Sequence, residues 1–286
     1  MTVLVVGASG LVGSALIRAA GGEAIGTYRT RPALGLQRLD ASDLTAVKTL
    51  LRGIEPEVVY FPAAEPNVDW CEAEPAKARE ANVVPATAML EESSRIGASF
   101  VFFSTDYVFD GAAGPYTEEA APAPLSEYGR QKLEVERRVL ETGGTVIRTT
   151  TVYGAELQPG KNFVVRLAAR LRLGEVATVP SDQFSTPTWS DELARATLTI
   201  GKSSGVWHLA GPDFLSRDRF AVLVAEVLGL DASLIRPTKT DELKQLARRP
   251  MRGGLRTEKV RKHFAAEFLP TREALARYIG SSLTAV

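Results

Sequence analysis

The segment Val3-Leu4-Val5-Val6-Gly7-Ala8-Ser9-Gly10-Leu11-Val12-Gly13 constrains this chain more than any other. Four apolar residues in a row read as a strand buried on both faces. They run into a G-x-x-G-x-x-G turn and then into a helical pattern from Leu11 to Ala20. A strand, a glycine turn and a helix in succession aim backbone N–H groups at a phosphate, and the helix dipole adds to the attraction. Small residues let a pyrophosphate come close, and Gly13 permits tight helix–strand contact. The spacing differs from the more familiar G-x-G-x-x-G, so the surrounding strand and helix carry the nucleotide reading. Gly7, Ser9, Gly10, Leu11 and Val12 are the candidate cofactor contacts.

The alternation continues, which predicts an α/β Rossmann-type fold, a doubly wound parallel sheet with helices on both faces. Strand patterns recur at Ala24 to Tyr28, Gln37 to Leu39, Glu57 to Phe61, Ser99 to Phe103 and Thr145 to Arg148. Helical patterns fall at Leu44 to Arg52, over one long stretch from Glu74 to Ile96, and at Leu125 to Glu141. Residues 1–150 therefore read as the nucleotide domain. Residues 151–286 read mainly as a small C-terminal substrate-binding lobe, with 188–210 returning to the first domain. After residue 150, Asp182 to Thr188 reads as an extended loop, and helices are expected at Phe163 to Leu173, Asp191 to Ile200, Phe220 to Leu228 and Arg272 to Ile279.

When the adenosine ribose carries no phosphate, the second strand usually ends in a carboxylate that binds the 2′-hydroxyl. Here it ends Thr27-Tyr28-Arg29-Thr30-Arg31. Two guanidinium groups suit a 2′-phosphate, so Arg29 and Arg31 favour NADP(H), with NAD(H) as the alternative. Asp40, with Ala41 beside it, is a candidate for the adenine end of the groove.

A second signal lies more than ninety residues downstream, in Ser104-Thr105-Asp106-Tyr107-Val108-Phe109-Asp110-Gly111 followed by Tyr128-Gly129-Arg130-Gln131-Lys132. Tyr128 and Lys132 are one helical turn apart and share a face. A neighbouring ammonium stabilises a phenolate, which predicts a Tyr128 pKa below its usual ~10 and easier proton exchange near neutrality. Thr105 closes a strand, where ligands of such sheets bind, and can orient a substrate carbonyl. Thr105, Tyr128 and Lys132 are the catalytic candidates.

These residues resemble the extended short-chain dehydrogenase/reductases. Within them, the run S-T-D-Y-V-F-D-G is similar to the dTDP-4-dehydrorhamnose reductase family. So are Ala63-Ala64 with Val68-Asp69 and Glu72-Ala73-Glu74-Pro75, Pro124-Leu125 before Tyr128-Gly129, Arg148-Thr149 with Val152-Tyr153, Asn162-Phe163, Asp182-Gln183 with Pro187-Thr188, and Arg249-Pro250. The resemblance spans nearly the whole chain. It implies NADPH-dependent reduction at C4 of a nucleotide-linked 4-keto-6-deoxysugar, with dTDP-4-dehydro-L-rhamnose as first candidate and another nucleotide-sugar 4-ketoreductase as the nearest alternative. Tyr128 would donate the proton, Lys132 would also hold the nicotinamide ribose, and Ala63 and Ala64 would line the cofactor groove. Asp106, Tyr107 and Val108 would border the sugar, with Asn162, Gln183 and Arg249 contributing from the substrate lobe. Two departures stand out. Thr151 occupies a position where the rhamnose-forming members usually carry tryptophan, and Ser14-Ala15-Leu16 offers no acid for a magnesium-bridged dimer. The regulatory beta subunit of methionine adenosyltransferase is also similar, through its S-D-Y-V-F-D-G run, A-A-E segment and P-A-P-L segment. That likeness implies a non-catalytic, NADP-binding alternative.

Composition narrows the classes further. With 34 basic and 34 acidic residues the chain is formally neutral, which argues against a nucleic-acid or membrane-surface partner. One cysteine and two histidines give no basis for a zinc cage. No leader pattern and no ~20-residue apolar span is evident, so a cytoplasmic monomer or homodimer is expected. Cys71 and Trp189 read as packing residues, His208 as a hydrogen-bonded core histidine, and His263 as solvated.

Overall fold

The computed structural model describes residues 2–157 and 162–283. The first half builds strands β1 (Val3–Val5), β2 (Ala24–Tyr28), β3 (Gln37–Arg38), β4 (Val58–Phe61), β5 (Ser99–Thr105) and β6 (Thr145–Thr149). Between them lie helices α1 (Leu11–Ala20), α2 (Leu44–Ile54), α3 (Val68–Ala73), α4 (Pro75–Asn82), α5 (Val84–Arg95) and α6 (Glu127–Glu141). The second half adds β7 (Val152–Tyr153), α7 (Phe163–Arg172), β8 (Ala177–Pro180), β9 (Phe184–Ser185), β10 (Thr188–Trp189), α8 (Ser190–Ile200) and β11 (Gly205–His208). It closes with β12 (Leu215–Ser216), α9 (Arg217–Leu228), β13 (Ile235–Thr238), α10 (Glu258–Phe264) and α11 (Thr271–Leu283).

The main sheet has seven strands in the order β11-β6-β5-β4-β1-β2-β3, all parallel. The order reverses between β1 and β4, which opens a ligand crevice at the carboxyl ends of the strands. Side-chain alternation divides each central strand between two helical layers. Leu4, Val59, Phe61, Phe100 and Phe102 pack with Val47, Leu51, Met89 and Val139 on one face. Val3, Val5, Tyr60, Val101 and Phe103 pack with Leu16, Leu193 and Ile200 on the other. Burial on both faces is why these strands read as unbroken apolar runs. α8 lies against α1, where Arg18 and Asp191 form an ion pair at 2.7 Å, and β11 pairs with β6.

A third cluster, including Leu167, Leu171, Phe220, Val224 and Leu275, joins α7, α9 and α11. Three short two-stranded sheets accompany the main one, β7 with β10, β9 with β12 and β8 with β13, and β8 and β13 pack into the core of this lobe.

The expected single helix from Glu74 to Ile96 is instead two helices, α4 and α5, preceded by the separate α3. Prolines 75 and 85 stand at the starts of α4 and α5, where proline's missing N–H and fixed φ are tolerated. Apolar spacing runs on across both helices, and only these proline start signals mark the break. The expected loop from Asp182 to Thr188 contains β9 and the first residue of β10, strands too short to show a period of two.

Candidate functional site

The cofactor side is built by steric exclusion. Gly7 has φ +89°, and a Cβ there would sit 2.8 Å from Ala63 Cβ. A Cβ on Gly13 would fall 2.3 Å from the Gly7 carbonyl oxygen. Glycine is therefore required both where β1 meets the β4 exit and where α1 packs on the turn. Gly10 caps α1 without any side-chain hydrogen bond, so no capping side chain occupies the first-turn amides around Leu11 and Val12. This cradle fits a pyrophosphate, and Ala63 stands directly against Gly7.

Arg29 and Arg31 stand exposed just past β2. Asp40 is also exposed, but Ser42 donates to its Oδ1 from both N and Oγ, at 3.0 and 2.6 Å. Those bonds, together with the nearby Arg29 and Arg38, hold the Asp40 carboxyl below its ordinary pKa. The cap of α2 is Asp43, which accepts from Thr45 N and Ala46 N. Asp40 is thus turned toward Ser42. Ala41 is buried in the core.

The catalytic side is set by the junction of β5 and α6. Ser126 caps α6 by accepting from Gly129 N. A Cβ at Gly129 would lie 2.2 Å from the Tyr107 carbonyl oxygen, so Gly129 lets the first turn of α6 press against the 3₁₀ turn Asp106–Val108. That contact brings the Tyr128 ring edge-on to Tyr107 at 6.0 Å. Lys132 Nζ donates to the Phe103 carbonyl at 2.9 Å and lies 5.9 Å from the Tyr128 ring centre. Thr105 Oγ1 accepts from Tyr107 N at 3.2 Å and donates to Asp106 Oδ1 at 3.3 Å. Among the described residues, no side chain or backbone group holds the Tyr128 hydroxyl.

Electrostatics correct one expectation. Tyr128 is 9% exposed, and burial, reinforced by Cys71, Tyr107, Asp106 and Glu65, holds its phenol above the ordinary value instead of below it. Burial also lowers the Lys132 ammonium to about 8, against the opposing pull of Glu136. Both shifts come from desolvation, which spacing along a helix does not reveal. A phenol that stays protonated starts in the state a general acid needs.

Glu136 is one turn beyond Lys132 on α6. Arg148 donates to both its carboxylate oxygens, at 2.9 and 2.6 Å, in a pair 4% and 1% exposed. His208 is fully buried beside it, with Nδ1 3.2 Å from the Tyr116 carbonyl and its pKa lowered to about 3, chiefly by burial.

The substrate candidates separate into two groups. Tyr107, Gln183 and Asp106 line one cleft together with Thr150, Thr151, Ser185, Arg217 and Pro250. Asp106 is fixed there by Thr150 Oγ1 at 2.7 Å and Gly254 N at 3.0 Å. Gln183 Nε2 donates to Thr240 Oγ1 and Gln245 Oε1. Arg249 pairs with Asp69 at 2.9 Å. Val108, by contrast, is buried in a core cluster with Phe109, Leu133 and Leu255, because the 3₁₀ turn rotates it away from the cleft. Asn162 caps α7 through Val164 N and donates to the Gly154 carbonyl at 2.6 Å, so its amide is occupied by backbone.

Arg217 is the residue that sequence reasoning missed. It opens α9, its guanidinium lies 4.9 Å over the Phe163 ring, and it makes no ion pair among the described residues. Burial lowers its pKa, with Arg166 and Arg249 adding to the effect. An isolated arginine carries no motif, and only folding brings it beside Tyr107.

This arrangement can bind a dinucleotide along the glycine cradle, protonate a carbonyl oxygen from Tyr128 and hold an anionic ligand at Arg217. Comparison with known proteins identifies the family. The family model described as the RmlD substrate binding domain matches residues 1–283. The dTDP-4-dehydrorhamnose reductase of Burkholderia thailandensis is 33% identical over 301 residues, covering 96% of this chain and 97% of that protein. Methionine adenosyltransferase 2 subunit beta of Xenopus tropicalis is 30% identical over 272 residues, covering 91% of this chain and 81% of that one. A dTDP-4-dehydrorhamnose reductase from Bacillus anthracis, solved in complex with NADP, superposes with a TM-score of 0.89 at 25% identity, covering 98% of this chain and 100% of that one. Sequence, fold and site converge, and the chain belongs to the RmlD substrate binding domain family.

Proposed function

We propose that this protein reduces the C4 keto group of a nucleotide-activated 4-keto-6-deoxysugar, with dTDP-4-dehydro-L-rhamnose as its first substrate candidate. It is an NAD(P)H-dependent oxidoreductase of the short-chain dehydrogenase/reductase type. The observation that carries this reading is a buried Tyr128 whose hydroxyl has no hydrogen-bond partner among the described residues and whose phenol burial holds above its ordinary pKa, with Lys132 one turn along α6 and Thr105 closing β5 in the same parallel sheet as the glycine cradle.

The glycine turn and the first-turn amides of α1 would hold the pyrophosphate, Ala63 and Ala64 would flank the groove, and Arg29 and Arg31 would take a 2′-phosphate. NADP(H) is therefore the favoured cofactor, as in the Bacillus anthracis relative, with NAD(H) the alternative. When bound, the reduced nicotinamide supplies a hydride. Thr105 orients the carbonyl by redirecting its hydroxyl proton from Asp106. Tyr128 gives its proton to the carbonyl oxygen as negative charge develops there, and the Lys132 ammonium stabilises the resulting phenolate. Arg217, with Arg249 nearby, provides guanidinium groups suited to a diphosphate.

The likeness to methionine adenosyltransferase 2 subunit beta supports a second reading, a cofactor-bound regulatory subunit. Steady NADPH oxidation at 340 nm with the keto sugar supports the reductase. No oxidation, together with recovery of a methionine adenosyltransferase in a pull-down, supports the regulatory reading.

A further inference from the structure

Thr151 stands in the substrate cleft in a conformation its own side chain opposes. Its φ is +43°, in the left-handed region that β-branched residues rarely enter. The turn itself is demanded by the fold. β6 ends at Thr149 and β7 begins at Val152 to pair with β10, and Thr188 N donates to the Thr151 carbonyl at 3.2 Å. Glycine would make this turn without strain. What glycine would not supply is a hydroxyl, and strained residues of this kind persist where the surrounding structure over-determines them and cluster at active sites and ligand clamps.

The hydroxyl is placed in a short chain. Thr151 Oγ1 donates to Ser185 Oγ at 2.9 Å and lies 3.5 Å from Thr150 Oγ1. Thr150 donates to Asp106, whose other oxygen accepts from Thr105. The Ser185 proton has no acceptor among the described residues. A hydroxyl offers one donor and two acceptor positions, so the pair presents a free donor at Ser185 and a free acceptor at Thr151. Both line the cleft with Tyr107 and Arg217.

We infer that Thr151 and Ser185 form a hydroxyl-reading pair that selects a nucleotide sugar carrying a ring hydroxyl at C2 or C3. The inference rests on the nucleotide-sugar reading above and adds to it the groups that set sugar specificity. A sugar hydroxyl donates to Thr151 and accepts from Ser185. Thr105 at the other end of the chain faces the keto group, so the recognised hydroxyl is on the ring and not on the nucleotide.

The test is titration calorimetry in the presence of NADP⁺, with dTDP-L-rhamnose and its 2-deoxy and 3-deoxy analogues. The wild type should bind one analogue about tenfold more weakly, the effect of one neutral hydrogen bond. Thr151→Val keeps the shape and loses the hydroxyl. Thr151→Gly loses it while relieving the strain, which separates lost recognition from lost folding. Both variants, and Ser185→Ala, should bind dTDP-L-rhamnose about tenfold more weakly and bind that analogue equally well. Variants that keep the wild-type discrimination, or a wild type that shows none, overturn the inference. A wild type that binds no nucleotide sugar overturns the substrate reading and the inference with it.

Discussion

Replacing Lys132 with methionine should stabilise the fold while removing turnover. Lys132 is 4% exposed, and its pKa falls from 10.5 to about 8 on folding, mainly through desolvation. At 1.36 kcal/mol per pH unit, that drop corresponds to about 3 kcal/mol against the charged form. Methionine has a similar length and no charge. Losing the hydrogen bond to the Phe103 carbonyl costs about 1 kcal/mol, which leaves a net gain of about 2 kcal/mol at neutral pH. A chain of 286 residues unfolds with an entropy near ~0.6 kcal/mol/K, so Tm should rise by ~3 °C. The sign follows from linkage. Because the folded pKa is the lower one, the unfolded chain holds more protons between about 8 and 10.5, and wild-type stability rises with pH across that window. The advantage of the variant should be full below pH 8 and gone by pH 10.5. Thermal melts from pH 7 upward measure it, and NADPH oxidation should fall by about 100-fold or more in parallel. A variant less stable than the wild type at pH 7, or a gap unchanged by pH, would refute the claim that desolvation governs Lys132.

Three further outcomes are expected. Arg148→Leu leaves Glu136 buried without its partner, a change worth about 3–5 kcal/mol, and should lower Tm by ~5–8 °C in a calorimetric scan. Gly13→Ala drives a Cβ to within 2.3 Å of the Gly7 carbonyl oxygen. It should destabilise by about 1–3 kcal/mol and weaken dinucleotide binding in a fluorescence titration, because the turn must shift. Arg29→Asp combined with Arg31→Asp should cut NADPH affinity by about tenfold or more while sparing NADH. Equal effects on both cofactors would remove these arginines from the 2′-phosphate site.

The nucleotide half of the fold was legible because its strands are buried on both faces and its turn needs glycine for steric reasons. Both leave local traces, seen in Val3 to Val6 and in Gly7 and Gly13. The pairing of Tyr128 with Lys132 was legible from helix spacing, and Ser126 and Gly129 explain why that helix begins where it does. What spacing could not show was how dry the site is, and the dryness raises the Tyr128 phenol and lowers the Lys132 ammonium. The resemblance implies that Val108 borders the sugar and that Asn162 contributes from the substrate lobe, yet the 3₁₀ turn buries the first in a core cluster and helix capping occupies the second. Arg217 and Ser185 are isolated in sequence, and only the packing of the second-half segments against Tyr107 gives them a place in the cleft. The break between Asn82 and Val84 was signalled by prolines 75 and 85, whose position at helix starts outweighs a continuous apolar spacing.

The central claim is that Tyr128 is the proton donor in a keto-sugar reduction. It is tested most directly by NADPH oxidation at 340 nm with dTDP-4-dehydro-L-rhamnose, comparing wild type with Tyr128→Phe at matched cofactor saturation. Steady wild-type turnover should drop by about 10²–10⁴-fold in the variant, with NADPH affinity unchanged within about twofold because the proposed proton transfer is to the sugar. Turnover retained in Tyr128→Phe would contradict it.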